Sequence, residues 1–191
     1  AVEPHEAWTN QARDNVLKAL VKQQADRGGQ TKVAATREES GGDPATVADL
    51  YWLHTAVGNS IKLHKYAGLL LPTKKNRFDW TLGSQAVAFG QATQYDYALF
   101  LHAQDSFSSG GRVALQAAGL LTCLVGVCVM PAGGQQIAFA SLVDLKTGQV
   151  VWYNMLASAV GDIRSPEGAE TMVTRLLDKM KPGAAAAKKK A

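Results

Sequence analysis

The sequence predicts an α/β (or α+β) domain, a mixed sheet of four or five strands with helices packed on it. Three observations support this prediction. Several segments place apolar residues at helical spacing, an apolar run spans 95–107, and two further apolar runs are joined by a short glycine-containing loop. With 191 residues, the chain is predicted to form one domain over 1–181. The Ala/Lys segment 182–191 is predicted to be a disordered tail.

The first half of the chain predicts two amphipathic helices. The first covers about 5–26 and ends at a glycine pair; its apolar face is Trp8, Ala12, Val16, Leu20 and Val21. A short strand is predicted at 31–36. Asp43 and Pro44 then form an N-cap and first helical position. The second helix has one face formed by Val47, Leu50, His54, Val57 and Ile61. The apolar segment 66–71 predicts a short strand or a helix end.

The second half predicts one more helix, three strands and a final helix. A third helix over 82–94 directs Ala86, Phe89 and Thr93 inward. Both faces of the strand 95–107 are largely apolar, which predicts a central strand covered on both sides. The last helix begins at Ser165-Pro166-Glu167. Its predicted buried stripe is Ala169, Met172, Val173, Leu176 and Met180.

The strands 136–145 and 149–156 are separated by a loop typical of a β-hairpin. Gly148 supplies a positive φ, and Asp144 and Thr147 shape the turn. Trp152 is expected to pack the returning strand against a helix. We therefore assign a structural role to these four residues.

Charge and motifs exclude several classes of function. The net charge of +4 includes Lys188, Lys189 and Lys190 of the tail, so no basic nucleic-acid-binding face is predicted. Phosphate-binding glycine motifs and His-Glu-x-x-His are missing from the sequence. We expect no cofactor, no metal and no catalytic residue.

One polar cluster, at 102–109, leaves a hydrolase open as an alternative. It contains His102, Asp105, Ser106, Ser108 and Ser109. Alternation along a strand directs His102 and Asp105 to opposite faces, and the sequence has no Gly-x-Ser-x-Gly elbow. The cluster is therefore more typical of a polar turn.

No charged residue occurs between Arg112 and Asp144, and 113–130 is almost continuously apolar or small. Three interpretations compete: a buried core segment, an apolar excursion that meets a partner or membrane, and a transmembrane helix. Because the predicted strands on both sides belong to one sheet, a single crossing is disfavoured. We predict an interaction excursion whose apolar patch is Leu115, Leu120, Leu121, Leu124, Val125, Val127 and Met130.

The only two cysteines, Cys123 and Cys128, lie in this stretch. Their spacing does not match Cys-x-x-Cys, and no nearby His, Asp or Glu favours a metal site. They form either two buried free thiols or, in an oxidising compartment, a short-loop disulfide.

Three segments together carry a resemblance. Tyr95-Asp96-Tyr97-Ala98-Leu99-Phe100 precedes the uncharged stretch. The hairpin segment 140–152 reads ASLVDLKTGQVVW, and a helix opens with Ser165-Pro166-Glu167. Over about 80–180 this pattern resembles the periplasmic lipoproteins related to CsgG, LpoB and the amino-terminal domain of TolB.

The resemblance implies a TolB-amino-terminal-domain-like fold and a non-enzymatic bacterial cell-envelope protein. Its expected partners are other envelope proteins or further copies of itself, with membrane contact through 113–130 as an alternative role. It further implies a periplasmic lipoprotein, held at the outer membrane through an N-terminal lipid-attachment cysteine that the present sequence lacks. In that compartment we expect Cys123 and Cys128 to form a disulfide. The non-alternating pattern of 113–130 differs from the amphipathic pore hairpins of CsgG, so pore formation is not implied.

Overall fold

The computed structural model describes residues 5–27, 32–34, 38–74, 77–106, 136–157, 161–178 and 180. Within these ranges the chain is a mixed α/β protein, as the sequence predicts. It contains four α-helices and three strands: α1 (Glu6–Arg27), α2 (Pro44–Ile61), α3 (Gly83–Thr93), β1 (Tyr97–Asp105), β2 (Gln136–Asp144), β3 (Val150–Leu156) and α4 (Pro166–Leu177). A 3₁₀ turn (Glu38–Ser40) precedes α2, and a π-helical turn (Lys62–Tyr66) follows it.

The described strands form one sheet in the order β1-β2-β3, and both pairings are antiparallel. The predicted central position of the strand 95–107 is not observed among the described residues, where β2 has a neighbour on each side and β1 pairs with β2 alone. Apolar residues on both faces of β1 indicate that other elements pack on both faces of the sheet there. They do not indicate how many strands lie beside β1.

The sheet differs from the predicted mixed sheet of four or five strands. Among the described residues there are three strands and no parallel pair. Residues 32–34 are not in a strand, and the rest of the predicted strand 31–36 lies outside the described residues. The segment 66–71 ends the π-helical turn and continues as irregular chain, which agrees with the helix-end alternative.

Helices cover both faces of the sheet, which gives three layers. On one face α1 and α4 pack over β2, and the shared core includes Val16, Ala138, Ala140, Met172 and Leu176. On the other face α2 and α3 pack over the same strand, with Leu50, Phe89, Phe139, Val143 and Tyr153 in the core. Because side chains alternate along β2, Ala138 and Ala140 meet the α1–α4 side, and Phe139, Ser141 and Val143 meet the side of α2 and α3.

The predicted helix starts are confirmed. The Asp43 carboxylate accepts a hydrogen bond from the Thr46 amide at 2.9 Å, and Pro44 is the first residue of α2. The Ser165 hydroxyl accepts one from the Gly168 amide at 3.1 Å at the start of α4. These side chains accept hydrogen bonds from backbone N–H groups that have no acceptor within the helix, and this determines where each helix begins.

The predicted apolar face of α1 is partly wrong. Ala12 and Val16 are buried together with Ala19, whereas Val21 is 53% exposed. Trp8 is also exposed, and its ring stacks on His5 with centroids 4.0 Å apart. The buried stripe of α1 therefore follows positions 12, 16 and 19, which share one helix face, and the sequence prediction extended it too far at both ends.

The predicted hairpin between β2 and β3 is confirmed. The Gly148 amide donates to the Asp144 carbonyl at 2.8 Å, and the Lys146 amide donates to the Asp144 carboxylate at 2.8 Å. Gly148 has φ +71°, and the Gly148 carbonyl accepts hydrogen bonds from Leu82 and Thr81, which tie the turn to the start of α3. Trp152 is half-buried and packs against the core that α1 and α4 share with β2.

We predict that Gly148→Ala lowers the free energy of unfolding by about 2–4 kcal/mol. An L side chain strains a positive φ, and the added Cβ would overlap the Gly83 carbonyl. Gly68→Ala is the matched control, because Gly68 has φ +75° but no atom within 4 Å of an added Cβ. It should cost about 1 kcal/mol. Equal losses for the two variants in urea unfolding would contradict the close approach of Gly148 to Gly83.

We predict that Trp152→Ala lowers the free energy of unfolding by about 3 kcal/mol, because it removes a large ring from the core beneath α1 and α4. Trp52→Ala is the control. Trp52 lies on α2 and is 64% exposed, so its loss should change stability by less than about 0.5 kcal/mol. The prediction fails if both tryptophan variants unfold at the same denaturant concentration.

Candidate functional site

The predicted serine–histidine–aspartate group at 102–109 is not assembled in the described residues. His102 lies on the face of β1 that meets α2, where its Nδ1 is 3.1 Å from the Tyr51 hydroxyl. The Asp105 carboxylate accepts a hydrogen bond from Gln136 at 2.8 Å, and Gln136 also donates to the Gly161 carbonyl. The structure places three members of the group, His102, Asp105 and Ser106, and the first two have different partners. Ser108 and Ser109 lie outside the described residues.

The structure instead brings together a serine and a histidine that the sequence did not pair. His54 of α2 and Ser141 of β2 place Nε2 and Oγ 2.7 Å apart. The His54 ring lies between Phe100 and Phe139, with centroid separations of 5.2 and 5.3 Å. Both His54 and Ser141 are only 1% exposed. We call His54, Ser141, His102 and Tyr51 the histidine cluster.

Local sequence explains how each member reaches the cluster. His54 lies one turn after Leu50 on the buried face of α2, as the helical spacing predicts. Ser141 follows Phe139 by two residues and therefore projects from the same face of β2. That alternation was the available signal for Ser141, but contact between positions 54 and 141 depends on how α2 docks on the sheet.

Hydrogen bonding indicates which His54 nitrogen carries the proton. Nδ1 is buried and has no hydrogen-bond partner among the described residues. An unpaired acceptor costs less than an unpaired N–H donor in a protein interior. We infer that the proton is on Nε2 and is donated to the Ser141 oxygen. In this tautomer His54 does not act as a base toward the serine hydroxyl.

Burial keeps the histidine cluster uncharged near neutral pH. It lowers the pKa of His54 from 6.5 to about 3, and the neighbouring His102 acts in the same direction. The pKa of His102 is also lowered, first by burial and then by the charge of Lys62. Burial raises the pKa of the Tyr51 hydroxyl. His54 and Ser141 therefore form a neutral, hydrogen-bonded part of the core between α2 and the sheet, and the Tyr51–His102 contact lies at the exposed edge of this core.

Burial also decides what this arrangement can do chemically. A serine nucleophile must reach its substrate, and general-base catalysis needs a histidine that accepts the serine proton. Ser141 meets neither condition here, because solvent does not reach it and His54 is its donor. The geometry supports a positioning and packing role for the pair.

Two predicted features fall outside the described residues. They are the pair Cys123 and Cys128 and the apolar patch within 113–130. The four hairpin residues are described, and they form the turn and the packing of β3. In the described ranges, no three His, Cys, Asp or Glu side chains gather as metal ligands. None of the described helices combines the length and hydropathy that crossing a bilayer requires.

Comparison with known proteins adds no relative. No family model matches the chain, and no curated protein or solved structure matches it. The resemblance to the envelope lipoproteins rests on the strand, hairpin and helix-start motifs of the sequence, and the TolB-amino-terminal-domain-like fold stays a prediction.

The lowered pKa of His54 predicts acid-sensitive stability. In the unfolded chain His54 has a pKa of about 6.5, whereas in the folded chain its pKa is about 3. Between these two pH values the unfolded chain therefore binds a proton that the folded chain does not bind. Stability from this group is complete above pH 6.5 and falls as the pH drops below it. Between pH 7.5 and pH 5 the free energy of unfolding should fall by about 2 kcal/mol from His54. His102 adds to the fall.

Urea unfolding across this pH range measures the effect. The control is the double variant His54→Phe with Ser141→Ala, which removes both polar partners together and leaves no buried hydroxyl unpaired. It should lose about 2 kcal/mol less than the wild type over the same interval. An unchanged pH slope in the double variant would show that His54 is not the responsible group.

Proposed function

We propose that this chain is a non-enzymatic interaction and assembly module of the bacterial cell envelope, periplasmic and lipid-anchored in its full-length form. The observation that carries the proposal is the β2–β3 hairpin. Its turn residues Asp144, Thr147 and Gly148 adopt the geometry that the resemblance expects. Trp152 packs the returning strand against the α1–α4 core.

The arrangement of the polar side chains favours an interaction role over a hydrolase. His102 contacts Tyr51, Asp105 contacts Gln136, and Ser141 is a buried acceptor for His54. Each of these groups takes part in the packing of a helix or strand. A hydrolase built on 102–109 would need His102 to leave Tyr51 and turn to the opposite face of β1.

Cell fractionation tests the compartment. The whole natural gene is expressed with a carboxyl-terminal tag while lipids are labelled with radioactive palmitate. We expect labelled protein in the outer-membrane fraction. A cytosolic, unlabelled product of the whole gene would overturn the proposed localisation.

The assembly role makes a further prediction for 113–130. If this apolar segment meets another copy, the purified chain should form oligomers that Leu120→Asp or Val125→Asp dissociates, because a buried carboxylate is costly. Gel filtration with light scattering, with and without detergent, measures the mass. Val21→Asp, on the exposed side of α1, is the control and should leave the oligomer intact. A wild type that is monomeric in both conditions contradicts self-association.

A further inference from the structure

Exposed large apolar side chains are concentrated after α2. Eleven such residues occur in the described part of the chain, and five of them lie between positions 63 and 78. They are Leu63, Tyr66, Leu69, Leu70 and Phe78. Leu70 is 84% exposed and Leu69 is 54% exposed. Scattered single apolar residues are ordinary on a protein surface, but a concentration within one short stretch marks a contact surface.

Hydrogen bonds and ring contacts hold this stretch together. After the π-helical turn the Leu69 amide donates to the Leu63 carbonyl at 3.1 Å, which brings the two backbone segments together. His64 Nδ1 lies 2.7 Å from the Leu69 carbonyl, and the His64 ring stacks on Trp80. Through His64, these contacts hold Leu69 close to the loop that carries Phe78 and Trp80. We call Leu63, Tyr66, Leu69, Leu70 and Phe78 the apolar tip.

Cationic side chains surround the apolar tip. The Lys65 ammonium lies 4.7 Å from the centre of the Phe78 ring and 5.8 Å from that of Tyr66. Lys74 lies over Trp80 at 4.4 Å and pairs with Asp79 at 2.8 Å, while the exposed Arg77 is 3.9 Å from the same carboxylate. One acidic residue therefore faces three basic ones, which leaves an excess of positive charge around the rings.

This combination matches the interfacial region of an anionic bilayer. Leucines gain by entering the acyl boundary, aromatic rings favour the headgroup level, and Lys and Arg are attracted to phosphate. A protein partner is a poorer match, because lysine is depleted in protein–protein interfaces, whereas Lys65 and Lys74 lie over the aromatic rings of this surface.

We propose that the apolar tip and its cationic rim, Lys65 and Arg77, bind the surface of an anionic phospholipid bilayer. Leu69 and Leu70 enter the acyl boundary, and the two cations contact lipid phosphates. The proposal rests on this surface and not on the envelope role, because it concerns the binding of purified protein to lipid alone. No described helix crosses the bilayer in this mode.

Vesicle co-sedimentation tests the proposal with the full chain. The probes are phosphatidylcholine vesicles and vesicles of phosphatidylcholine with about one-third phosphatidylglycerol. We expect binding to the anionic vesicles that weakens as salt rises, since surface charges are screened. Leu69→Ser with Leu70→Ser should weaken binding at least tenfold. Lys65→Gln with Arg77→Gln should weaken it about tenfold on anionic vesicles.

The matched control is Val21→Ser with Lys18→Gln. These two exposed residues lie on α1, in the layer on the other face of the sheet, so this pair should bind as the wild type does. All variants keep segment 113–130 and the lysine tail, so a difference between them reports the apolar tip. Far-ultraviolet circular dichroism checks that each variant is folded.

Two results would overturn the proposal. One is a wild type that binds neither kind of vesicle. The other is a leucine variant that binds as tightly as the wild type, which would assign lipid binding to another part of the chain. Neither result bears on the compartment, which the fractionation experiment decides independently.

Discussion

The contact between Phe139 of β2 and Gly58 of α2 holds α2 against the sheet. Phe139 is the largest of the fully buried side chains among the described residues, and an added Cβ at Gly58 would overlap its ring. The glycine lets α2 approach β2 closely enough for the ring to lie against the helix backbone. Around the ring, His102 of β1 and Tyr153 of β3 stack at 4.9 and 5.8 Å. One aromatic side chain thus joins three strands and a helix.

This close approach also explains the histidine cluster. With α2 held against the sheet, position 54 lies directly over β2, where a histidine must find a partner or be neutral. Ser141 supplies one partner and the rings of Phe100 and Phe139 supply the rest of the environment. The Tyr153 hydroxyl adds a further link by donating to the Gly58 carbonyl at 3.0 Å. These two hydrogen bonds orient α2 on a face of the sheet that is otherwise apolar.

The sequence predicted features that depend on local chemistry. The caps Asp43 and Ser165 and the turn at Gly148 were found because each side chain or backbone angle acts within a few residues. The place of β1 in the sheet was missed, because period-two patterning reports which faces are covered and not which strands are adjacent. The pairing of His54 with Ser141 joins positions 87 apart, and residue spacing holds no information about it.

The predicted extent of the buried face of α1 was partly wrong for a related reason. Trp8 and Val21 fit a helical period, yet α1 buries only the part of its face that meets α4. Polar contacts border the packed surface between α1 and α4. Lys22 pairs with Glu170 at 2.6 Å, and Gln23 donates a hydrogen bond to Thr174 at 2.9 Å. Apolar periodicity identifies a helix face, but the partner helix decides how much of that face is covered.

The two helical layers therefore differ in the side chains that they leave exposed. The α1–α4 layer has an aliphatic core and a rim of polar bonds, including Asn15 to the Arg164 carbonyl at 2.8 Å. The layer containing α2 carries Tyr51, Trp52 and the apolar tip on its exposed side. Burying aromatic and leucine side chains is favourable for any surface that covers them, at about 25 cal/mol per Å². Seven of the eleven exposed large apolar side chains in the described residues lie on α2 or in the stretch 63–78 after it, so contacts with lipid or protein are expected to form on that layer. The α1–α4 layer then serves as its support.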